Sequence, residues 1–188
     1  VMIVSLGIYH TGSERPVTAP TGWTLLQVDE SFVQYNLYYK VAGASEPSSY
    51  TFSWSDATVG EPIGSIVSYS GVDTSDPISD SSTTANLESN KSLTGLSVNV
   101  SNQNSKVIFI ASAFNVNITF ATPSGYTSKF TWTHAYDITY QSASIKIVEK
   151  DFSSTGESGD VSLTMNLNSD TENAAGVALN PAPTANTS

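Results

Sequence analysis

The residues with types and spacing fit for chemistry are few, and most of them stand in turn-like contexts. Asp29, Glu30, Glu46, Asp56, Glu61, Asp73 and Asp76 are the carboxylates to consider. Two of them facing each other across a cleft would suit acid–base hydrolysis of a glycosidic bond. However, Asp29-Glu30-Ser31 reads as a hairpin tip and Glu46-Pro47 as a turn, where such residues serve local hydrogen bonding and solubility. Asp73, Asp76 and Asp80 offer hard oxygen donors for calcium, but their spacing is not that of an EF-hand loop. Asp73 is equally suited to cap its own turn. The only histidines, His10 and His134, are too few for a His-rich metal site. The chain has no cysteine and no G-x-S-x-G, P-loop, H-E-x-x-H or G-x-G-x-x-G motif. The expectation is a protein without catalytic residues and without a cofactor.

The aromatic residues offer a better lead. Phe130, Trp132, His134 and Tyr136 alternate, which places them on one side of a strand or around a hairpin tip. Trp132, His134 and Tyr136 are therefore the candidate contacts for a glycan or a protein partner. The competing reading makes Trp132 a core residue. Trp23 and Trp54 fall on the apolar phase of their strands and are expected in the core. Sequons at Asn90, Asn99, Asn117 and Asn186 would accept glycans where the machinery exists, and the alternation around Asn99 and Asn117 points both outward.

The elements that position these residues read as strands throughout. Tyr35, Leu37, Tyr39 and Val41 alternate with polar residues or Tyr38, as do Tyr50, Phe52 and Trp54, and Val161, Leu163, Met165 and Leu167. The run at 107–113 is apolar on both phases and suits a central strand. No segment carries ten residues of helical periodicity. Residues 73–90 are the longest polar stretch and read as a surface loop or linker. Residues 182–188 read as a flexible tail.

The chain also repeats itself. Ala19-Pro20-Thr21-Gly22-Trp23-Thr24 returns as Ala121-Thr122-Pro123-Ser124-Gly125-Tyr126-Thr127. Each copy follows an apolar run, 1–8 or 107–114, and precedes two alternating strands and a closing Gly-containing apolar run. The expected fold is all-β, a jelly-roll-like β-sandwich of about ten strands built from an internal duplication, with residues 1–181 forming one domain of half-repeats 1–80 and 93–181. A strand at 93–100 precedes the second apolar run and is expected to pair beside it through Leu96, Val98 and Val100, but nothing precedes Val1, which stands in an apolar run without an initiator Met. Upstream sequence is expected. So is an unpaired edge on residues 1–8, completed by strand addition from another subunit.

Lys and Arg number 7 against 17 Asp and Glu, a net charge of −10, which disfavours nucleic acid and anionic membrane surfaces as partners. No run approaches 18 apolar residues.

Gly22-Trp23-Thr24, Tyr38-Tyr39-Lys40-Val41-Ala42-Gly43-Ala44-Ser45-Glu46-Pro47, Tyr50-Thr51-Phe52, Tyr69-Ser70-Gly71-Val72-Asp73 and Pro77-Ile78 together resemble a β-sandwich module. That module is found in bacterial secreted and surface proteins and in phage tail or fibre proteins. The resemblance covers residues 1–78 well and the second half weakly. It implies a non-catalytic accessory or structural module outside the cell or on a virion exterior, either a subunit of a filament or fibre or a carbohydrate-binding module of a secreted enzyme. The implied partners are further copies of itself, neighbouring appendage proteins or surface glycans. It also implies a strand ahead of the residues matching 1–8.

Overall fold

The computed structural model describes residues 1–9, 16–29, 33–54, 62–86, 90–115, 117–133, 143–169 and 171–184. It is all-β, and no element among the described residues is a helix. In chain order the strands are β1 (Met2–Tyr9), β2 (Val17–Thr18), β3 (Thr24–Asp29), β4 (Val33–Lys40), β5 (Ser53–Trp54), β6 (Pro62–Ser68), β7 (Ile78–Asn86), β8 (Asn90–Gly95), β9 (Asn99–Val100), β10 (Ser105–Phe114), β11 (Thr127–Thr133), β12 (Ala143–Phe152), β13 (Gly156–Glu157), β14 (Val161–Ser169) and β15 (Thr171–Leu179).

Two large antiparallel sheets carry the fold. One has the order β3-β4-β1-β6, the other β11-β12-β10-β15-β7. The inward phase of each strand supplies the core between them. Ile3, Tyr35, Leu37 and Ile63 of the first sheet meet Ile108, Ile110, Phe114, Ile145, Ile147 and Val177 of the second. Period-two alternation puts the other phase on the outer face, and there too the strands are apolar. Over the second sheet, β8, β9, β13 and β14 form a further layer. Leu93, Val98, Val100, Leu163 and Met165 pack there on Val107, Phe109 and Ala111. Over the first sheet the described residues place the short pair β2–β5 and the loop at 46–52.

The two sheets share one internal plan. β3, β4, β1 and β6 occur in the same spatial order as β11, β12, β10 and β15. Pairing registers correspond residue by residue: Ile3 faces Tyr39 and Val67, as Ile108 faces Glu149 and Val177. The register slips at matching places, between Leu25 and Gln27 and between Ser128 and Phe130. Trp23 N–H donates to Pro20 O at 3.3 Å and Tyr126 N–H to Pro123 O at 3.2 Å. The third residue of each turn is Gly22 or Gly125, at φ 89° or 79°, the positive φ that a type II turn demands. These turns are why the repeated Pro-Thr-Gly and Pro-Ser-Gly blocks stand out in the sequence.

Three expectations are corrected. Residues 73–90 are not merely a loop, since β7 crosses them as the edge strand of the second sheet, and its Ser and Thr residues are half-buried. Leu93 and Val100 do not lie beside β10 in its own sheet; their strands pair with β14 and β13 one layer outward. The run at 1–8 has no unpaired edge: β1 is central, flanked by β4 and β6. Its apolar character on both phases, like that of β10, reflects burial on two faces.

Burial of polar groups marks one end of the second sheet. Glu172 is buried on β15 with neither carboxyl oxygen hydrogen-bonded. Burial raises its pKa from the ordinary 4.5 to about 8. A carboxyl whose folded pKa is raised retains its proton while the unfolded chain releases it, so folding loses stability as pH climbs from about 4.5 towards 8. Glu172→Gln, which needs no proton to stay neutral, is expected to melt at a higher temperature than the parent at pH 8, with the gain shrinking away below pH 4.5; calorimetry across pH reads it directly. A second outcome concerns Gly176 on β15. A Cβ there would stand 2.8 Å from Ser82 Oγ, 3.0 Å from Phe109 Cε1 and 3.0 Å from Val98 Cγ1. Gly176→Ala should therefore cost about 1–3 kcal/mol by overpacking, measured by urea unfolding.

Candidate functional site

The outer face of the first sheet is partly open, with Ile66 exposed and Leu6 half-buried beside the buried Met2 and Val4. Met2, Val4 and Leu6 of β1 and Gly64, Ile66 and Ser68 of β6 form its floor, with residues 46–50 and Phe52 as the wall. The resulting open groove has a volume of about 480 Å³. Ile66 is 53% exposed, unusual for an isoleucine in a strand interior.

Half-to-half register identifies what this groove lacks. Met2, Val4 and Leu6 stand where Val107, Phe109 and Ala111 stand in the second sheet, and Ile66 stands where Gly176 stands. In the second half that face is sealed by Leu93, Val98 and Val100, all at 0–1% exposure. There, β14 has β8 as its outer neighbour. In the first half β5 pairs only with β2 among the described residues. Likewise β15 has β7 on its outer edge, whereas β6 ends its sheet among the described residues.

The wall of the groove is held by a polar latch. Lys40 Nζ lies 2.6 Å from Glu46 Oε2 and donates to Tyr50 OH at 3.3 Å, and the Gly43 N–H donates to Glu46 Oε1 at 2.5 Å. Tyr50 OH also donates to Glu46. The Lys40 ammonium, the Tyr50 hydroxyl and the Gly43 amide hold the Glu46 carboxyl down at about 2. Trp23 packs edge-on against Tyr50 and Phe52, with ring centres 5.1 and 5.4 Å apart. This explains the spacing of Trp23, Lys40, Glu46, Tyr50 and Phe52: together they fasten the loop before β5 to the sheet. Trp23 and Trp54 are half-buried in this thin outer layer rather than placed in the core, because the main core lies on the opposite face of the sheet.

The aromatic pair on β11 is exposed. Phe130 is 40% and Trp132 44% accessible, and both line a shallow depression beside Pro62, Ile63 and Gly64 of β6. Trp132 is thus not a core residue. His10, His134 and Tyr136 lie outside the described residues, as do Glu30, Asp56, Glu61 and Asn186.

Asp73, Asp76 and Asp80 are not assembled into one site. Asp73 Oδ1 accepts from the amides of Ser75 and Asp76 at 2.8 and 3.3 Å, closing its own turn. Asp80 accepts from the amides of Ser81 and Asn99 at 2.8 Å each. Among the described residues no group of three or more metal-ligating side chains occurs. Asn99 and Asn117 are exposed, as the alternation predicts, and Asn90 lies at the start of β8. Ala182 N–H donates to Gly71 O at 2.8 Å, tying the start of the expected tail to the sheet. The sequence does not show the groove, although Met2, Val4, Leu6 and Ile66 are all legible as apolar; burial in the fold separates the covered Met2 and Val4 from the accessible Leu6 and Ile66.

No family model, curated protein or solved structure matches the chain.

A depressed carboxyl contributes stability above its unfolded pKa and loses it as pH falls through the folded value. The stability gap between the parent and Glu46→Gln should therefore be constant above about pH 5 and close as pH falls from 4.5 towards 2. Urea titrations at stepped pH check this, and a gap unchanged at pH 2 would show that the latch is not ionic.

Proposed function

We propose that this protein is a non-catalytic structural or adhesive module of an extracellular appendage, a cell-surface filament or a virion fibre, and that it joins its neighbours by β-strand addition. The observation that carries this reading is the difference between the halves. The second half seals its outer face and sheet edge with β7, β8 and β9, whereas the described residues leave the matching face and edge of the first half open. Exposed strand edges beside exposed apolar side chains are the surfaces on which chains add strands. The shared strand order, turn and bulge support an origin by duplication of one unit, with each half wrapping a long sheet and a short outer flap in a jelly-roll-like way. The acidic charge of −10 suits a soluble exterior protein facing other proteins rather than nucleic acid.

A second reading, a carbohydrate-binding accessory module, is favoured by Phe130 and Trp132, two accessible aromatic residues beside a shallow depression. Such faces stack on apolar faces of sugar rings.

The two readings part on one preparation. Protein isolated from its source should run as a high-order species on size exclusion and in negative stain, and should leave a glycan panel unhydrolysed. A monomer whose tryptophan emission shifts with a glycan, and no longer does so in Trp132→Ala with Tyr136→Ala, would install the carbohydrate reading instead.

A further inference from the structure

The open groove, the edge of β6 left unpaired among the described residues and the exposed aromatic pair on β11 correspond to surfaces that are covered in the second half. The packing of the sheets shows this. β3 of the first sheet lies over β7 of the second, and Gln27 Nε2 donates to Ser81 O at 3.0 Å and to Ser81 Oγ at 3.1 Å. β4 lies over β15, and β6 over β12. Exchange the halves through their matching registers and each of these pairs maps onto its counterpart. β4 over β15 becomes β12 over β6, while β3 over β7 becomes β11 over a strand that the described residues do not contain. On β11 the positions matching Gln27 and Asp29 are Phe130 and Trp132. Their exposure is therefore what the missing counterpart of β7 would cover.

The same segment accounts for the groove. The strand that follows β7 in the chain, β8, adds to β14 through Leu163↔Leu93 and Val161↔Gly95, and β9 comes next. The matching edge in the first half runs along residues 50–53, beside Met2, Val4, Leu6 and Ile66. A single strand–turn–strand segment would thus cover all three surfaces.

Resting on the reading above, we propose that this surface takes one extended polypeptide segment built like residues 78–100. Its first strand adds antiparallel to the outer edge of β6 and covers Phe130 and Trp132. Its second strand adds antiparallel to residues 50–53 and seats Leu- or Val-sized side chains on Leu6 and Ile66. The donor is a neighbouring appendage protein that is not a copy of this chain. The stretch at 181–188 is Pro-Ala-Pro-Thr-Ala-Asn-Thr-Ser, without the alternating large apolar residues the groove needs. A second copy does not serve either: each copy holds one such segment and two places for it, so exchange between copies always leaves one place open.

The probe is a synthetic peptide with the sequence of residues 78–105, added to the intact protein. Expected are saturable one-to-one binding and at least about tenfold slower exchange of the β6 amides that point away from β1. A rise in melting temperature with peptide concentration should accompany it, as should a blue shift of tryptophan emission that is absent in Trp132→Phe. The same peptide with Leu93, Val98 and Val100 changed to Ser should not bind. Ile66→Asp in the protein, a change at an exposed position, should weaken binding at least about tenfold. Absence of saturable binding, equal binding of the Ser-substituted peptide, or β6 amides already protected in the protein alone would each overturn the proposal. A protein that ignores the peptide but still forms high-order species loses this inference and keeps the structural reading. Peptide insertion in a protein that hydrolyses or binds glycans does the reverse.

Discussion

Both large sheets are apolar on both faces, and this constraint governs the rest of the structure. In β1, Ile3 is fully buried, and on the other phase Met2, Val4 and Ile8 are 9%, 3% and 0% exposed. In β10 the residues from Val107 to Ala111 are at 0% on either phase. A sheet of this kind is stable only with a layer on each side, since every exposed Val, Leu or Ile side chain forfeits about 1.5–3 kcal/mol of transfer free energy. The two sheets satisfy one face of each other. The opposite faces need separate cover, and the chain supplies it unequally. The second sheet receives a layer of four strands. The first receives two dipeptide strands and a loop fastened by the Lys40–Glu46–Tyr50 latch.

The polar interior fits the same geometry. Where a charged side chain must sit near the core, it is given partners. Lys146 Nζ donates to Ser128 Oγ at 2.8 Å and to Thr131 Oγ1 at 3.0 Å, and Tyr69 OH donates to Glu149 at 3.0 Å. The Tyr69 pKa is raised first by burial and then by the neighbouring Glu149 charge, so it stays a neutral donor across the physiological range. Glu172 has no such partner and keeps its proton instead.

The strands and the two Pro-x-Gly turns were legible in the sequence because both rest on local signals. Alternation at Tyr35, Leu37 and Tyr39 and at Val161, Leu163 and Met165 reports a face, and Pro-Thr-Gly reports a turn that only glycine fills easily. Leu167 breaks the pattern, 46% exposed between the buried Met165 and Ser169 of the same phase. What stayed hidden is non-local. β7 is made of Ser, Thr, Asp and Asn, so its composition reads as loop; it is a strand because its backbone completes β15, a partner some 90 residues away. The role of β1 was misjudged for the same reason. An apolar run shows that two faces are covered, but not which neighbours cover its edges. Glu46 and Lys40 carried the sequence resemblance, yet their pairing across a loop had no periodic signature.

The two outer faces differ in how they distribute bulk, and this difference is itself informative. In the second sheet Phe109 is large, and Gly176 and Ala111 beside it are small, so β8 and β9 approach closely. At the matching positions of the first sheet the order is inverted: Val4 is small where Phe109 is large, and Ile66 and Leu6 are large where Gly176 and Ala111 are small. A face no longer meant to be covered would drift towards polar residues, because nothing repays the exposure of a large aliphatic side chain in a soluble protein. Here the apolar volume is instead rearranged, with a ridge at Leu6 and Ile66 and a hollow at Val4. The strands β6 and β15 keep the same register against their central strands, β1 and β10, so the outer edges of the two sheets correspond position by position.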